Sequence, residues 1–121
     1  MFYPQFFDIF NVSTMQLFER TGLSGSDLLK KYGIVGFPLV EVRASFRKPC
    51  LFDDSVMAEC EIGAWGYTSF TVHHRILNGG ELATEGFERR IWAKRHPERA
   101  GLKPEPVPDE IKASLSGPGK P

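Results

Sequence analysis

The sequence predicts an α+β domain in which one long, mostly apolar helix is enclosed by a curved antiparallel sheet. Three observations predict it. Phe6, Phe7, Ile9, Phe10, Val12, Met15, Leu17 and Phe18 fall near helical spacing between Pro4 and about Arg20. From Val40 the period changes to two, with Val42, Ala44 and Phe46 alternating with Glu41, Arg43, Ser45 and Arg47. Asn78-Gly79-Gly80 then marks a hairpin between two more strands.

Each element has a local reason. Pro4 suits a first helical turn, because its ring presets φ and its missing N–H has no partner there anyway. The apolar residues cover more than one narrow stripe, so the helix is expected to be surrounded by protein on most sides. Thr21-Gly22 ends it. A short second helix starts at Ser26 or Asp27 with Ser24 or Ser26 as its cap, and stops at Gly33. Pro49 and Asp53-Asp54 mark a turn. A second strand puts Ala58, Cys60, Ile62 and Ala64 on one face and breaks at Gly66. The third strand runs from about Ser69 to Leu77 and the fourth from about Glu81 to Lys94. Four prolines between Pro97 and Pro108 impose an extended path, and a short helix spans Asp109 to Leu115. Residues 1–116 read as one domain and 117–121 as a disordered tail.

Composition narrows the function. The chain has 121 residues, enough for one core, with 15 basic and 15 acidic residues. Zero net charge argues against a nucleic-acid partner, which would need a basic excess or stripe. No apolar run is long enough for a membrane span. The two cysteines, Cys50 and Cys60, form neither a disulfide framework nor a metal site, and a reducing cytoplasm is the default setting. His73 and His74 adjoin on a strand and point to opposite faces, so they cannot share a metal ion. His74 sits with Phe70, Val72 and Ile76 and reads as a hydrogen-bonded core histidine. His73 and His96 read as surface residues, and Glu85 and Glu88 as a solvated strand face. Neither metal nor cofactor is expected.

Several short motifs appear in an order that carries more than any one of them. They are Phe2-Tyr3-Pro4-Gln5-Phe6-Phe7, Gly33-Ile34-Val35-Gly36-Phe37-Pro38, Ala44-Ser45-Phe46, Trp65, Ser69-Phe70 with His74, and Val107-Pro108-Asp109-Glu110-Ile111. Together, from Phe2 to about Leu115, they resemble the 4-hydroxybenzoyl-CoA thioesterase-like family of hotdog-fold acyl-CoA thioesterases. That resemblance implies hydrolysis of an aromatic or short- to medium-chain acyl-CoA, in a homodimer or homotetramer whose sites lie across the subunit boundary.

It also implies roles for individual residues. Thioester hydrolysis needs an activated oxygen nucleophile and donors for the carbonyl oxygen. The first N–H groups of a helix are unpaired and lie at the positive end of its dipole. By the resemblance, the backbone N–H of Tyr3 polarises the thioester carbonyl. Phe37 would then line an apolar acyl pocket. Ser69 and Lys103 would contact CoA phosphates, the latter within a basic group of Arg89, Arg90, Lys94, Arg95 and Arg99 that otherwise reads as a solvated strand end. Gly66-Tyr67 replaces basic residues that relatives can carry, which leaves CoA and an acyl-carrier protein both open as the carrier. The family's catalytic Asp, with the strand before it, would lie about five residues ahead of Met1, through a late start assignment or a truncated chain. Loss of that strand would expose a sheet edge. Asp8 is the nearest substitute, and a non-catalytic domain that binds acyl-CoA or serves assembly is the alternative.

Overall fold

The computed structural model describes residues 3–48 and 54–115, with side chains of the first helix described from Asp8 onward. The expected 117–121 tail, and the positions of Cys50 and Asp53, lie outside the described residues. Helix α1 spans Tyr3–Glu19. It presents Phe10, Thr14, Leu17 and Phe18 to the sheet, none more than 3% exposed. Its back is open: Val12 is 53% exposed, and Asn11, Gln16 and Glu19 are exposed beside it. The expectation of a helix surrounded on most sides is therefore corrected. Four strands curl round only one side of a cylinder about 10 Å across.

Helix α2, Gly25–Tyr32, settles on Ser24 as its cap. Ser24 Oγ accepts from the Asp27 N–H and Asp27 Oδ2 accepts from the Ser24 N–H, so two otherwise unpaired donors are satisfied reciprocally. Gly33 closes the helix at φ 74°, in the left-handed region that favours glycine. Ser24→Ala is expected to lower stability by about 1 kcal/mol, read as a lower denaturation midpoint at unchanged slope.

The strands are β1 (Ile34–Gly36), β2 (Leu39–Phe46), β3 (Val56–Trp65), β4 (Ser69–Asn78), β5 (Glu81–Ile91), β6 (Ala93–Arg95) and β7 (Leu102–Pro104), followed by α3 (Asp109–Leu115). They form an antiparallel sheet in the order β2-β5-β4-β3 and a smaller one in the order β1-β6-β7. Both hairpin glycines, Gly79 and Gly80, have positive φ, as a tight two-residue turn requires. The predicted fourth strand divides at Trp92. Its N–H donates to Thr68 O and its carbonyl accepts from Glu105 N, so the chain steps there from one sheet to the other. The extended path after Pro97 contains β7, which three residues and a proline did not announce.

The main core gathers Phe18, Phe37, Phe70 and Trp92 with Leu17, Leu28, Val107, Ile111 and Leu115. A second cluster holds Phe10, Ile76 and Ala83. These two clusters fix the direction of α1. Phe10 lies over Gly86, which pairs with His74, while Phe18 touches Phe70 and Phe37. The start of α1 therefore points to the hairpin end of the large sheet and its close to the Trp92 end. Strands β2 and β3 are its edges, and most of β3 is exposed. Among the described residues no helix is long and apolar enough to cross a membrane.

Candidate functional site

The backbone of Tyr3 opens α1, so its N–H belongs to the first turn, where no intrahelical acceptor exists. The first turn carries no acidic side chain to occupy the positive end of the dipole. Asp8 is exposed and more than one turn inside the helix.

Ser69 and Lys103 lie at the other end. Ser69 opens β4 opposite Ile91, next to the Trp92 step, and Gly66 N donates to Ser69 O at 2.7 Å. A Cβ on Gly66 would sit 2.5 Å from Ser69 Oγ, so the glycine leaves room for that hydroxyl. Lys103 on β7 faces Lys94 on β6, and both ammonium groups share Glu105, at 3.6 and 3.7 Å. Seven helical residues at ~1.5 Å and five strand residues at ~3.3 Å separate Tyr3 from Ser69. That places them on the order of 25 Å apart along one chain. The structure thus brings Ser69 and the Lys94–Lys103 pair to one end and leaves Tyr3 at the opposite one.

Phe37 packs into the core, 9% exposed, stacked on Trp92 at 5.7 Å and against Phe18 at 4.5 Å. One edge of it reaches an open hollow of about 370 Å³ walled by Met15 and Phe18 of α1, Leu23, and Leu28 of α2.

Between helix and sheet lies a polar cluster that alternation concealed. Glu88, expected on a solvated face, is 2% exposed, and Arg90, expected in a basic surface group, is 5% exposed. Arg90 grips the Glu88 carboxylate in a fork, Nε to Oε1 at 3.1 Å and Nη2 to Oε2 at 2.7 Å. Thr14 of α1 donates to Glu88 Oε1 at 2.7 Å, and His74 Nε2 lies 2.9 Å from the same oxygen. An ionised carboxylate only accepts, so Nε2 carries the proton. Burial alone would raise the Glu88 pKa, but the hydrogen bonds from His74, Arg90 and Thr14 outweigh it and hold the group at about 2. Arg90 also donates to Phe37 O and to Asn11 Oδ1, each at 3.0 Å. His74 is the hydrogen-bonded core histidine expected, stacked on Phe10 at 4.3 Å.

His73 is not a free surface residue. It bonds Glu85 at 2.7 Å on the outer face, lies on Phe87 at 4.6 Å, and holds Glu85 below the usual carboxylate range. Among the described residues no group of acidic, histidine or cysteine side chains could hold a metal ion. Cys60 is half-buried, its thiol directed at Ser13 O and pushed up to about 11 by burial, which leaves it a poor nucleophile.

A model of the thioesterase-like superfamily matches residues 1–115. The chain belongs to that superfamily. An Asp-to-Asn mutant of 4-hydroxybenzoyl-CoA thioesterase complexed with 4-hydroxybenzoyl-CoA superposes with a TM-score of 0.86 at 28% identity, covering 96% of this chain and 86% of that one. The 4-hydroxybenzoyl-CoA thioesterase of Pseudomonas sp. strain CBS-3 gives 0.85 at 28% identity, over 94% and 85%. A gentisyl-coenzyme A thioesterase gives 0.77 at 27%, over 96% and 86%. No curated protein sequence matches. The long helix on a curved antiparallel sheet is the hotdog fold of these thioesterases.

Proposed function

We propose that this hotdog domain serves hydrolysis of acyl-CoA thioesters with an aromatic or short- to medium-chain acyl group. The observation that carries the reading is its superposition, over 96% of the chain, on a thioesterase complexed with 4-hydroxybenzoyl-CoA. In this reading the Tyr3 N–H at the start of α1 donates to the thioester carbonyl, where negative charge develops. Ser69 and Lys103, with Lys94 beside it, meet the CoA phosphates. Phe37 lines the apolar side of the pocket. The attacking carboxylate is the one the family places ahead of the helix. No metal or cofactor takes part, and the domain works in a reducing cytoplasm.

The separation of Tyr3 from Ser69 supports a site assembled from two copies, the helix start of one facing the Ser69–Lys103 end of the other. The expected assembly is a homodimer or homotetramer in light scattering, and a monomer would count against the two-copy site.

A second reading is acyl-CoA binding without turnover: Asp8 of α1 is exposed and more than one turn inside the helix. Thiol release from a panel of aromatic and aliphatic acyl-CoAs separates the readings. We expect turnover, by the 121-residue chain or by one extended upstream in frame. Binding without turnover in either form establishes the second reading. Turnover by the 121-residue chain that Asp8→Asn abolishes would return the nucleophile to Asp8.

A further inference from the structure

We infer that Glu88 and Arg90 form a positioning clamp, with Thr14 as its contact on the helix, that holds α1 and the Gly36–Pro38 link in one fixed relation. The inference rests on the thioesterase reading only where it concerns turnover.

The geometry has two arms. Glu88 reaches the helix through Thr14 Oγ1 at 2.7 Å, and Arg90 reaches it one turn earlier through Asn11 Oδ1 at 3.0 Å. Arg90 Nη1 then reaches away from the helix to Phe37 O at 3.0 Å. The two residues alternate on β5 and lock each other through the bidentate fork, so neither arm can shift alone. His74 on the neighbouring strand holds Glu88 Oε1 from a third direction and stacks on Phe10 of the same helix.

Apolar packing alone would not fix the helix along its axis so closely. Leu17 and Phe18 pack with Phe70 and Phe37 through dispersion contacts, which have no preferred bond direction, whereas hydrogen bonds do. Hydrogen bonds at 2.7–3.0 Å from two successive turns set the axial position to a fraction of an ångström. A buried ion pair is weak evidence for stability and is best attested as a device for register. What the register governs here is the height of the α1 start. The N–H donors of that first turn help the reaction only if they meet the carbonyl oxygen within a few tenths of an ångström. Phe37 moves with them, since its carbonyl hangs from the same guanidinium. Thr14, Glu88 and Arg90 are thus positioning residues, none of which touches substrate.

The test uses Thr14→Val, which keeps the shape and removes the donor, and Thr14→Ser, which restores it. The first readout is the amide spectrum. Thr14→Val should shift the Gly36 and Phe37 resonances, three hydrogen bonds away through Glu88 and Arg90, and Thr14→Ser should return them towards wild type. Shifts confined to the helix neighbours of Thr14 would overturn the clamp. The second readout is acyl-CoA turnover in whichever form is active. We expect kcat to fall about tenfold with KM within twofold, and Ser to recover most of it. A lower melting temperature with kcat unchanged would reduce the cluster to a structural role and overturn the positioning claim. If no form turns over while Phe37 still responds, the thioesterase reading fails and the coupling of α1 to the link stands.

Discussion

Glu88→Ala lowers the stability of this domain by about 3–5 kcal/mol, one of the two largest single-site losses expected in it. The carboxylate it removes is the acceptor for Thr14, His74 and both arms of the Arg90 fork. Arg90 would be left charged and almost without water, keeping only Phe37 O and Asn11 Oδ1. A typical domain has about 5–15 kcal/mol in total, so the variant should approach unfolding near physiological temperature. The converse is expected of Glu88→Leu with Arg90→Met. Removing both charges abolishes two desolvation costs together, and the double variant should lie much closer to wild type than Glu88→Ala does. A double variant as unstable as the single one would show that the ion pair itself stabilises the fold.

The same carboxylate makes stability depend on pH with a definite sign. Its pKa is near 2 in the folded protein against an ordinary 4.5, so the unfolded state binds the proton more readily. Its contribution, on the order of 3 kcal/mol, is complete above about pH 5 and is lost as pH falls towards 2. Glu88→Gln cannot titrate. The gap between wild type and Glu88→Gln in denaturant midpoint should therefore be widest at neutral pH and close steadily between pH 5 and 2. A gap that stays constant over that range would mean that Glu88 carries no such shift.

Why alternation failed at this site can be read along β5. Its inward face is Thr84, Gly86, Glu88 and Arg90, while Phe87 points out and is 38% exposed. An apolar-in, polar-out rule therefore assigns the strand to the wrong side. Nothing local distinguishes a carboxylate destined for water from one whose partners lie on α1, β4 and two residues along its own strand. The elements that were legible depend on neighbours in sequence. Ser24 and Asp27 cap α2 within one turn, Gly33 stops it, Gly79-Gly80 turns the hairpin, and Asp109–Leu115 is helical as expected. The candidate site was legible only through the order of its motifs. Periodicity placed Ser69 at the start of its strand and the resemblance supplied Tyr3, Phe37 and Lys103, but the distance between the two ends depends on which way α1 lies across the sheet. That direction is decided by Phe10 and Phe18, far apart in sequence from the strands they meet.

Phe10→Ala is the second large loss expected, about 3–5 kcal/mol for emptying a fully buried aromatic site. The ring fills a place that exists because residue 86 has no side chain. A Cβ there would lie 2.5 Å from Phe10 Cε2 and Cζ, and 2.8 Å from the carbonyl oxygen of Arg43 on β2. Gly86→Ala is accordingly expected to cost about 1–3 kcal/mol by overpacking. The two obstacles differ in kind. The ring can be removed, but the Arg43 carbonyl is held in the β2–β5 ladder, where Ala44 pairs with Gly86. In a Phe10→Ala background the ring half of the clash disappears and the new methyl group occupies part of the cavity. Gly86→Ala should then cost less than it does alone while still costing something, a coupling that a double-mutant cycle reads directly. Strict additivity would show that the ring does not seat on Gly86. Full relief would place the strain on the ring alone and leave β2 free to move. The intermediate result would make Gly86 the point where the sheet admits the helix, its depth set by Phe10 and its axial height by Thr14 on Glu88.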